Sequence, residues 1–117
     1  MIHTVLLVED EEELREMMTD ALERQGYTVV AASDGIEALE AASRIPSICL
    51  VLLDLLMPGM NGWDFFDTFR KQGEFANIPV VVHSSTASSA PAGVTRVLTK
   101  PLELDRLLSV VHEFCAP

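Results

Sequence analysis

The stretch Ile48-Cys49-Leu50-Val51-Leu52-Leu53 runs six residues without a polar side chain and then ends in a carboxylate, Asp54. A run with no polar alternation leaves neither face for water. It therefore reads as a strand covered on both faces, the kind found in parallel sheets packed between helices. A turn rich in Pro and Gly follows at once, from Pro58 to Gly62. Asp54 is thereby placed at the carboxyl end of a central strand, where open α/β sheets hold their ligand crevices. An Asp at a strand exit also starts turns and caps helices. Asp54 alone does not define a function, and the other strand ends must be read with it.

Five short strands alternating with helices emerge along the chain. Thr4–Val8 is apolar and runs into Glu9, Asp10, Glu11, Glu12 and Glu13. A helix then carries Leu14, Met17, Met18, Ala21 and Leu22 at the 3.6-residue period. Its acidic first turn suits the positive end of the helix dipole, and Gly26 is the expected stop. Thr28–Ala32 is the second strand, Asp34-Gly35 a turn, and Ile36, Leu39 and Ala42 mark an Ala-rich helix ending before Pro46. After the strand bearing Asp54, a helix starting near Asn61 or Gly62 shows Trp63, Phe66 and Phe69 on its core face, with Gly73 as terminator. Phe65 and Trp63 cannot both be buried with Phe66, so one is expected at the surface, and Met57 and Met60 flank the turn as packing or lid residues.

Pro79–Val82 is the fourth strand, followed by His83 and Ser84. The segment Thr86–Gly93, rich in small and hydroxylated residues, supports at most one or two weak helical turns. Val94–Leu98 is the fifth strand, Thr99-Lys100-Pro101 its exit, and Leu104, Leu107, Leu108 and Val111 the apolar face of the last helix. Alternation of this kind predicts one α/β domain over residues 1–117, a parallel sheet with right-handed crossovers.

Charge narrows the function classes. A net charge of −10 leaves no basic stripe to neutralise phosphates, which argues against direct nucleic-acid binding. No apolar run approaches membrane-spanning length and no signal peptide is read, so a cytoplasmic location is expected. Cys49 and Cys115 show no metal-ligand spacing and no disulfide framework; Cys49 reads as a small buried hydrophobe.

In a parallel sheet the exits of strands one, three, four and five share one edge. Glu9 and Asp10, Asp54, Ser84 and Lys100 therefore meet there, although Asp10, Asp54 and Lys100 stand 44 and 46 positions apart. Bunched carboxylates repel unless a cation or proton joins them, and hard oxygen ligands suit Mg²⁺. An Asp carboxylate can attack phosphorus to form an aspartyl phosphate, with a metal and an ammonium neutralising the equatorial oxygens. No GxxxxGK[ST] or Gly-rich fingerprint is present, so the phosphoryl donor comes from elsewhere. His83 stands where a strand normally carries an apolar residue, and burial would keep it neutral. Glu11, Glu12 and Glu13 read as a solvated helix start, and His3 and His112 show no partner signal.

The chain resembles the receiver domains of the response-regulator family over essentially its whole length. The resemblance rests on Glu9-Asp10 after the first strand, the Asp-x-x-Met-Pro-x-Met-x-Gly block from Asp54 to Gly62, Ser84 after the fourth strand and Lys100-Pro101 after the fifth. It implies a flavodoxin-like, doubly wound five-stranded parallel sheet of order 2-1-3-4-5. It also implies that Asp54 accepts a phosphoryl group from a histidine kinase or histidine phosphotransfer protein. Asp10, Asp54 and the main-chain carbonyl of Leu56 would bind Mg²⁺ directly, Glu9 through water, and Ser84 and Lys100 would contact the phosphoryl group. Self-phosphorylation from small donors, slow autodephosphorylation, a cis Lys100-Pro101 bond and an output domain outside these residues are further implications.

Three features depart from the family pattern. Only fifteen residues lie between Ser84 and Lys100, Val97 stands where the family often has Tyr or Phe, and Ser85 replaces the usual Ala, so either Ser84 or Ser85 faces the site. They favour a readout other than the usual surface, or a degenerate receiver serving as a phosphorylation-independent scaffold. A metal-dependent phosphatase would need a second acid just beyond Asp54, and positions 55 and 56 are both Leu. Leu56 has no polar group to orient a water against an aspartyl phosphate. The variant Leu56→Asn is therefore expected to lose its phosphoryl group faster than wild type, measured by intact mass after removal of the donor; equal or slower loss would refute this.

Overall fold

The computed structural model describes residues 3–55, 61–84 and 90–116. Five strands form one parallel sheet of order β2-β1-β3-β4-β5: β1 (Thr4–Val8), β2 (Thr28–Ala32), β3 (Ile48–Asp54), β4 (Val80–Ser84) and β5 (Arg96–Thr99). Between and after them lie α1 (Glu12–Arg24), α2 (Gly35–Ala42), α3 (Gly62–Lys71) and α4 (Leu104–Cys115). The parallel sheet is the one expected from the alternation of elements, and its order is the doubly wound one that the resemblance implies. Strand pairing is in register from Val8 beside Leu53 to Asp54 beside His83 and Ser84 beside Thr99.

The pleat sends alternate side chains into two separate cores. Leu6, Val8, Val51, Leu53, Val80 and Val82 meet Phe65, Phe66 and Phe69 of α3 and the alanines of α2. Val5, Leu7, Leu50, Leu52, Val81 and Leu98 meet Met18 and Leu22 of α1 and Leu107, Val110 and Val111 of α4. β1 is buried throughout, as are Leu50–Asp54 of β3 and all of β4. Their unbroken apolar sequences are explained by the helices on both faces.

Helix starts follow local chemistry. Asp34 is an N-cap, not part of a free turn: its carboxylate accepts the Glu37 N–H at 2.8 Å. Asn61 caps α3 in the same way, accepting the Asp64 N–H at 2.9 Å. Gly26 follows α1 at φ +92°, where a side chain would be strained. Gly73 does not end α3 by a left-handed residue. The helix stops at Lys71 and Gly73 opens a short 3₁₀ turn (Gly73–Phe75), whose carbonyl edge is held by Arg70.

Several side-chain placements differ from the periodic reading. Met17 is 46 % exposed and Leu104 is 44 % exposed, because α1 and α4 each turn a narrower stripe inward than the pattern suggested. Val110 and Cys115 take inward positions on α4 instead. Phe65 is fully buried and stacks on Phe69, so Trp63 is the aromatic left half-buried. Residues 90–95 form no helix; residues 86–89, like Met57 and Met60, lie outside the described residues.

The cysteines require a correction. Cys49 and Cys115 form a disulfide across 66 positions, with Cα atoms 5.4 Å apart. Thr4 pairs with Ile48 but Val5 with Leu50, so Cys49 is the extra residue of a β-bulge. The bulge turns its side chain to the face covered by α4, whose last turn carries Cys115. A one-residue irregularity of this kind has no signature in cysteine spacing.

Gly62 couples the fold to the strand edge. Its N–H donates to the Leu55 carbonyl at 2.9 Å. A Cβ at this position would lie 2.5 Å from Leu55 Cα and 2.7 Å from the Asp54 carbonyl oxygen, both backbone atoms that cannot yield cheaply. Gly62→Ala is expected to cost about 1–3 kcal/mol or more and to lower Tm by roughly 5–15 °C. Gly73→Ala, where nothing lies within 4 Å of the added Cβ, should cost far less. Paired thermal melts of the two variants test the difference.

Candidate functional site

The alternation that separates the two cores also builds the site. Continuing the α1/α4 face two residues beyond Leu7, Leu52, Val81 and Leu98 reaches Glu9, Asp54, His83 and Lys100. All four sit at the carboxyl edge of the sheet, on neighbouring strands or their exits. Glu9, Asp54, His83 and Ser84 are buried at 0, 3, 0 and 1 % exposure, so this polar group is enclosed at the end of an apolar layer.

Lys100 bridges the two acids, with its Nζ 3.4 Å from Asp54 Oδ1 and 3.6 Å from Glu9 Oε1. Its position is set by β5: the Lys100 N–H donates to the Ser84 carbonyl at 2.9 Å, and the Lys100–Pro101 peptide is cis. Glu9 Oε2 accepts the Glu11 N–H at 3.0 Å, which turns the carboxylate back over the start of α1. Arg15 donates to the Glu9 and Asp10 carbonyls, clamping the same bend. Asp10 is exposed, and its side chain lies against that of Glu9. α1 begins without a side-chain cap, its first-turn acids Glu12 and Glu13 in solvent.

Burial is the main cause that raises the Glu9 carboxyl from its ordinary value to about 7; the negative charge of Asp54 and the neighbouring Asp10 add to it. The Glu11 N–H and Lys100 pull the other way without prevailing. His83 is pushed down to about 3, first by burial and then by Lys100, so the imidazole is neutral. Its Nδ1 lies 3.5 Å from Glu9 Oε1. Among the described residues, neither His83 nitrogen nor Glu9 Oε1 has a hydrogen-bond partner.

Glu9, Asp54 and His83 each offer a ligand atom, all within 4.8 Å of one another. An orphaned carboxylate oxygen, crowded acids and a carboxyl held above its usual range are what a cation site presents when its charge is not yet balanced. The residues therefore fit a divalent ion. Of the residues expected at this edge, Glu9, Asp54, Ser84 and Lys100 stand at the strand ends, and Asp10 follows Glu9 but is exposed. Leu56 and Ser85 lie outside the described residues. His83 occupies what the sequence pattern makes an apolar strand position; the period-2 alternation from Val81 is the signal that it faces the acids. A surface cavity of about 770 Å³, lined by Tyr27, Asp105 and His112 among others, is at the opposite edge and contains none of these groups.

A family model described as the response regulator receiver domain matches residues 5–112. The chain belongs to this family. A transcriptional regulatory protein of Bacillus subtilis, YrkP, is 33 % identical over 92 % of this chain and 47 % of its own length. HprR of Escherichia coli, also a transcriptional regulatory protein, is 31 % identical over 92 % of this chain and 49 % of its own. The chain thus spans about half the length of these curated relatives. Among solved structures, the Vibrio cholerae chemotaxis protein CheY4 superposes with a TM-score of 0.86 at 28 % identity, covering 97 % of this chain and 99 % of that one. The receiver domain of NtrX from Brucella abortus gives 0.83 at 30 % identity, covering 95 % and 97 %. The buried cluster occupies the position of the family's phosphoacceptor and metal site.

The two shifted groups have opposite consequences for stability in metal-free buffer. Folded Glu9 holds a proton that the unfolded chain releases near 4.5, so its contribution falls as pH rises from about 4.5 to about 7. Unfolded His83 takes a proton near 6.5 that the folded chain refuses until about 3, so its contribution falls as pH drops through that window. His83→Leu removes only the second effect. Its stability relative to wild type should therefore climb steadily as pH is lowered from 7 to 4, as measured by urea unfolding with chelator present. A pH-independent difference would contradict the assigned burial of a neutral imidazole.

Proposed function

We propose that this domain is a phosphorylation switch in which Asp54 takes a phosphoryl group from the phosphohistidine of a sensor kinase or histidine phosphotransfer protein. The observation that carries this reading is the Asp54 carboxylate set within 3.4 Å of Lys100 at the edge where Glu9 is also buried. An Asp54 oxygen attacks phosphorus, the P–N bond of the donor breaks, and the departing imidazole nitrogen takes a proton from solvent. Lys100 draws negative charge from the transferring oxygens and afterwards holds one of them. The Ser84 hydroxyl, at the end of β4, is assigned to a second oxygen, with Ser85 the alternative.

Mg²⁺ is the proposed ion, held by Asp10, Asp54 and the Leu56 carbonyl, with Glu9 acting through water. When bound it neutralises charge on the phosphoryl oxygens. The readout proposed is not an aromatic switch, since Val97 has neither a ring nor a hydroxyl. The relatives named above are about twice as long and are called transcriptional regulatory proteins. An output domain in a longer chain is therefore proposed, with any DNA contact made there. No described helix is long and apolar enough to cross a membrane. The proposed location is the cytoplasm.

One observation favours a second reading, a scaffold that works without phosphorylation: only fifteen residues separate Ser84 from Lys100, fewer than the family usually gives to its fourth helix and output surface. Incubation with acetyl phosphate and Mg²⁺, followed by intact mass, separates the two. Wild type is expected to gain one phosphoryl group and Asp54→Asn none. Lys100→Ala should be slowed by about 10²-fold or more, the usual scale for losing a group that stabilises transition-state charge. No adduct in wild type, with the fold intact, would favour the scaffold.

A further inference from the structure

His83 is the feature that phosphoryl transfer leaves unexplained. It extends a strand whose preceding residues Val80, Val81 and Val82 are apolar and fully buried. A fourth apolar residue would satisfy the packing. Instead an imidazole stands there at 0 % exposure, with both nitrogens lacking a hydrogen-bond partner among the described residues. Leaving such a group unsatisfied is costly, because it forgoes the hydrogen bonds that water would give it. The register places it beside Asp54, and the pleat aims it at the same face as Glu9. Its Nδ1 is 3.5 Å from the one Glu9 oxygen that also lacks a hydrogen bond.

We propose that His83 completes a mixed nitrogen–oxygen site with Glu9 and Asp54, so that the pocket takes a borderline divalent ion of the Co²⁺, Ni²⁺ or Zn²⁺ class. The inference rests on the pocket being the metal-dependent phosphoacceptor site proposed above, and extends it to which ion that site selects. Tetrahedral ligands at about 2.1 Å from one ion lie about 3.4 Å apart. The three ligand atoms already fall within 4.8 Å of one another, so side-chain shifts of about an ångström close the set. Lys100 competes for the same oxygens from the rim. It is 27 % exposed on a flexible stem and can yield to a doubly charged ion by moving into solvent.

The selectivity follows from the donor atoms. Mg²⁺ prefers oxygen and keeps its waters, so an imidazole gives it little. Imidazole suits Ni²⁺ and Zn²⁺, and affinity for N/O sites rises from Mn²⁺ to Cu²⁺ in any case. A site of carboxylates alone would show that general rise too. The signature of His83 is therefore the part of the preference that disappears with the ring.

The test uses the full chain with His3→Gln and His112→Gln, which removes the exposed imidazoles and leaves His83 as the last of the three histidines. Ni²⁺ and Mg²⁺ are titrated separately by calorimetry into this protein and into the same background with His83→Leu. The expected result is a loss of about tenfold or more in Ni²⁺ affinity, with Mg²⁺ affinity unchanged. Equal Ni²⁺ affinity in the two proteins overturns the proposal, and so does parallel weakening of both ions, which would mean that His83 only supports the pocket. If the Leu variant does not fold, Cu²⁺ electron paramagnetic resonance on the His83-bearing background decides: coupling to one imidazole nitrogen supports the site, and its absence overturns it. Acetyl phosphate labelling with Mg²⁺ on the same samples keeps the two readings separate. Labelling without the Ni²⁺ signature defeats only the ion preference; the signature without labelling defeats only the phosphoacceptor reading.

Discussion

The hydrogen-bond ladder that holds β3 between β1 and β4 is the constraint on which the rest depends. It brings Asp54 level with His83 and, one residue beyond the Val8–Leu53 pair, beside Glu9. Because side chains alternate across a sheet, the same register that buries Leu52, Leu7 and Val81 must aim the next residues of that parity at one spot. A slip of one residue would send all of them to the α2/α3 face. The apolar layers thus do more than stabilise the domain; they hold like charges together. Gly62 serves the same end by letting α3 start against the backbone of Asp54 and Leu55.

Concentrating acids in this way is unfavourable for the metal-free chain, and the structure shows where the unfavourable energy resides. Glu9 is shifted toward its protonated form, His83 is kept neutral, and Lys100 partly neutralises what remains. None of these three responses removes the repulsion. An incoming cation must displace the Glu9 proton and the Lys100 ammonium, and in doing so it balances the charge that they only partly offset. The disulfide is located at the other end of the sheet, away from this chemistry, and ties β3 to α4.

Much of this was legible before any coordinates. The unbroken apolar runs at Leu50–Leu53 and Val80–Val82 announced buried parallel strands, and the polar residues that end them announced a common edge. Asp54, Glu9 and Lys100 were readable because strand exits in such a sheet converge whatever their sequence separation. Less was legible on the helices. Met17 and Leu104 fit the 3.6-residue period yet are exposed, since a pattern of spacing does not state how wide a stripe the neighbouring strands can cover. Asp34 looked like a turn residue because turns and N-caps use the same side-chain acceptor.

Sequence by itself determined the parallel α/β class, the strand that carries the phosphoacceptor candidate and the set of charges at its edge, because burial on two faces and alternation along a strand are local properties. Tertiary structure alone decided the rest. It turned Cys49 toward Cys115 through a bulge that exists only where β1 and β3 are paired. It also made Glu9 the buried acid and Asp10 the exposed one, two neighbours that are chemically alike in the chain. And it converted His83 from a core residue into a wall of the acidic pocket. In each case the outcome depends on which face of the sheet a residue meets and what packs there, and that is settled between elements rather than within them.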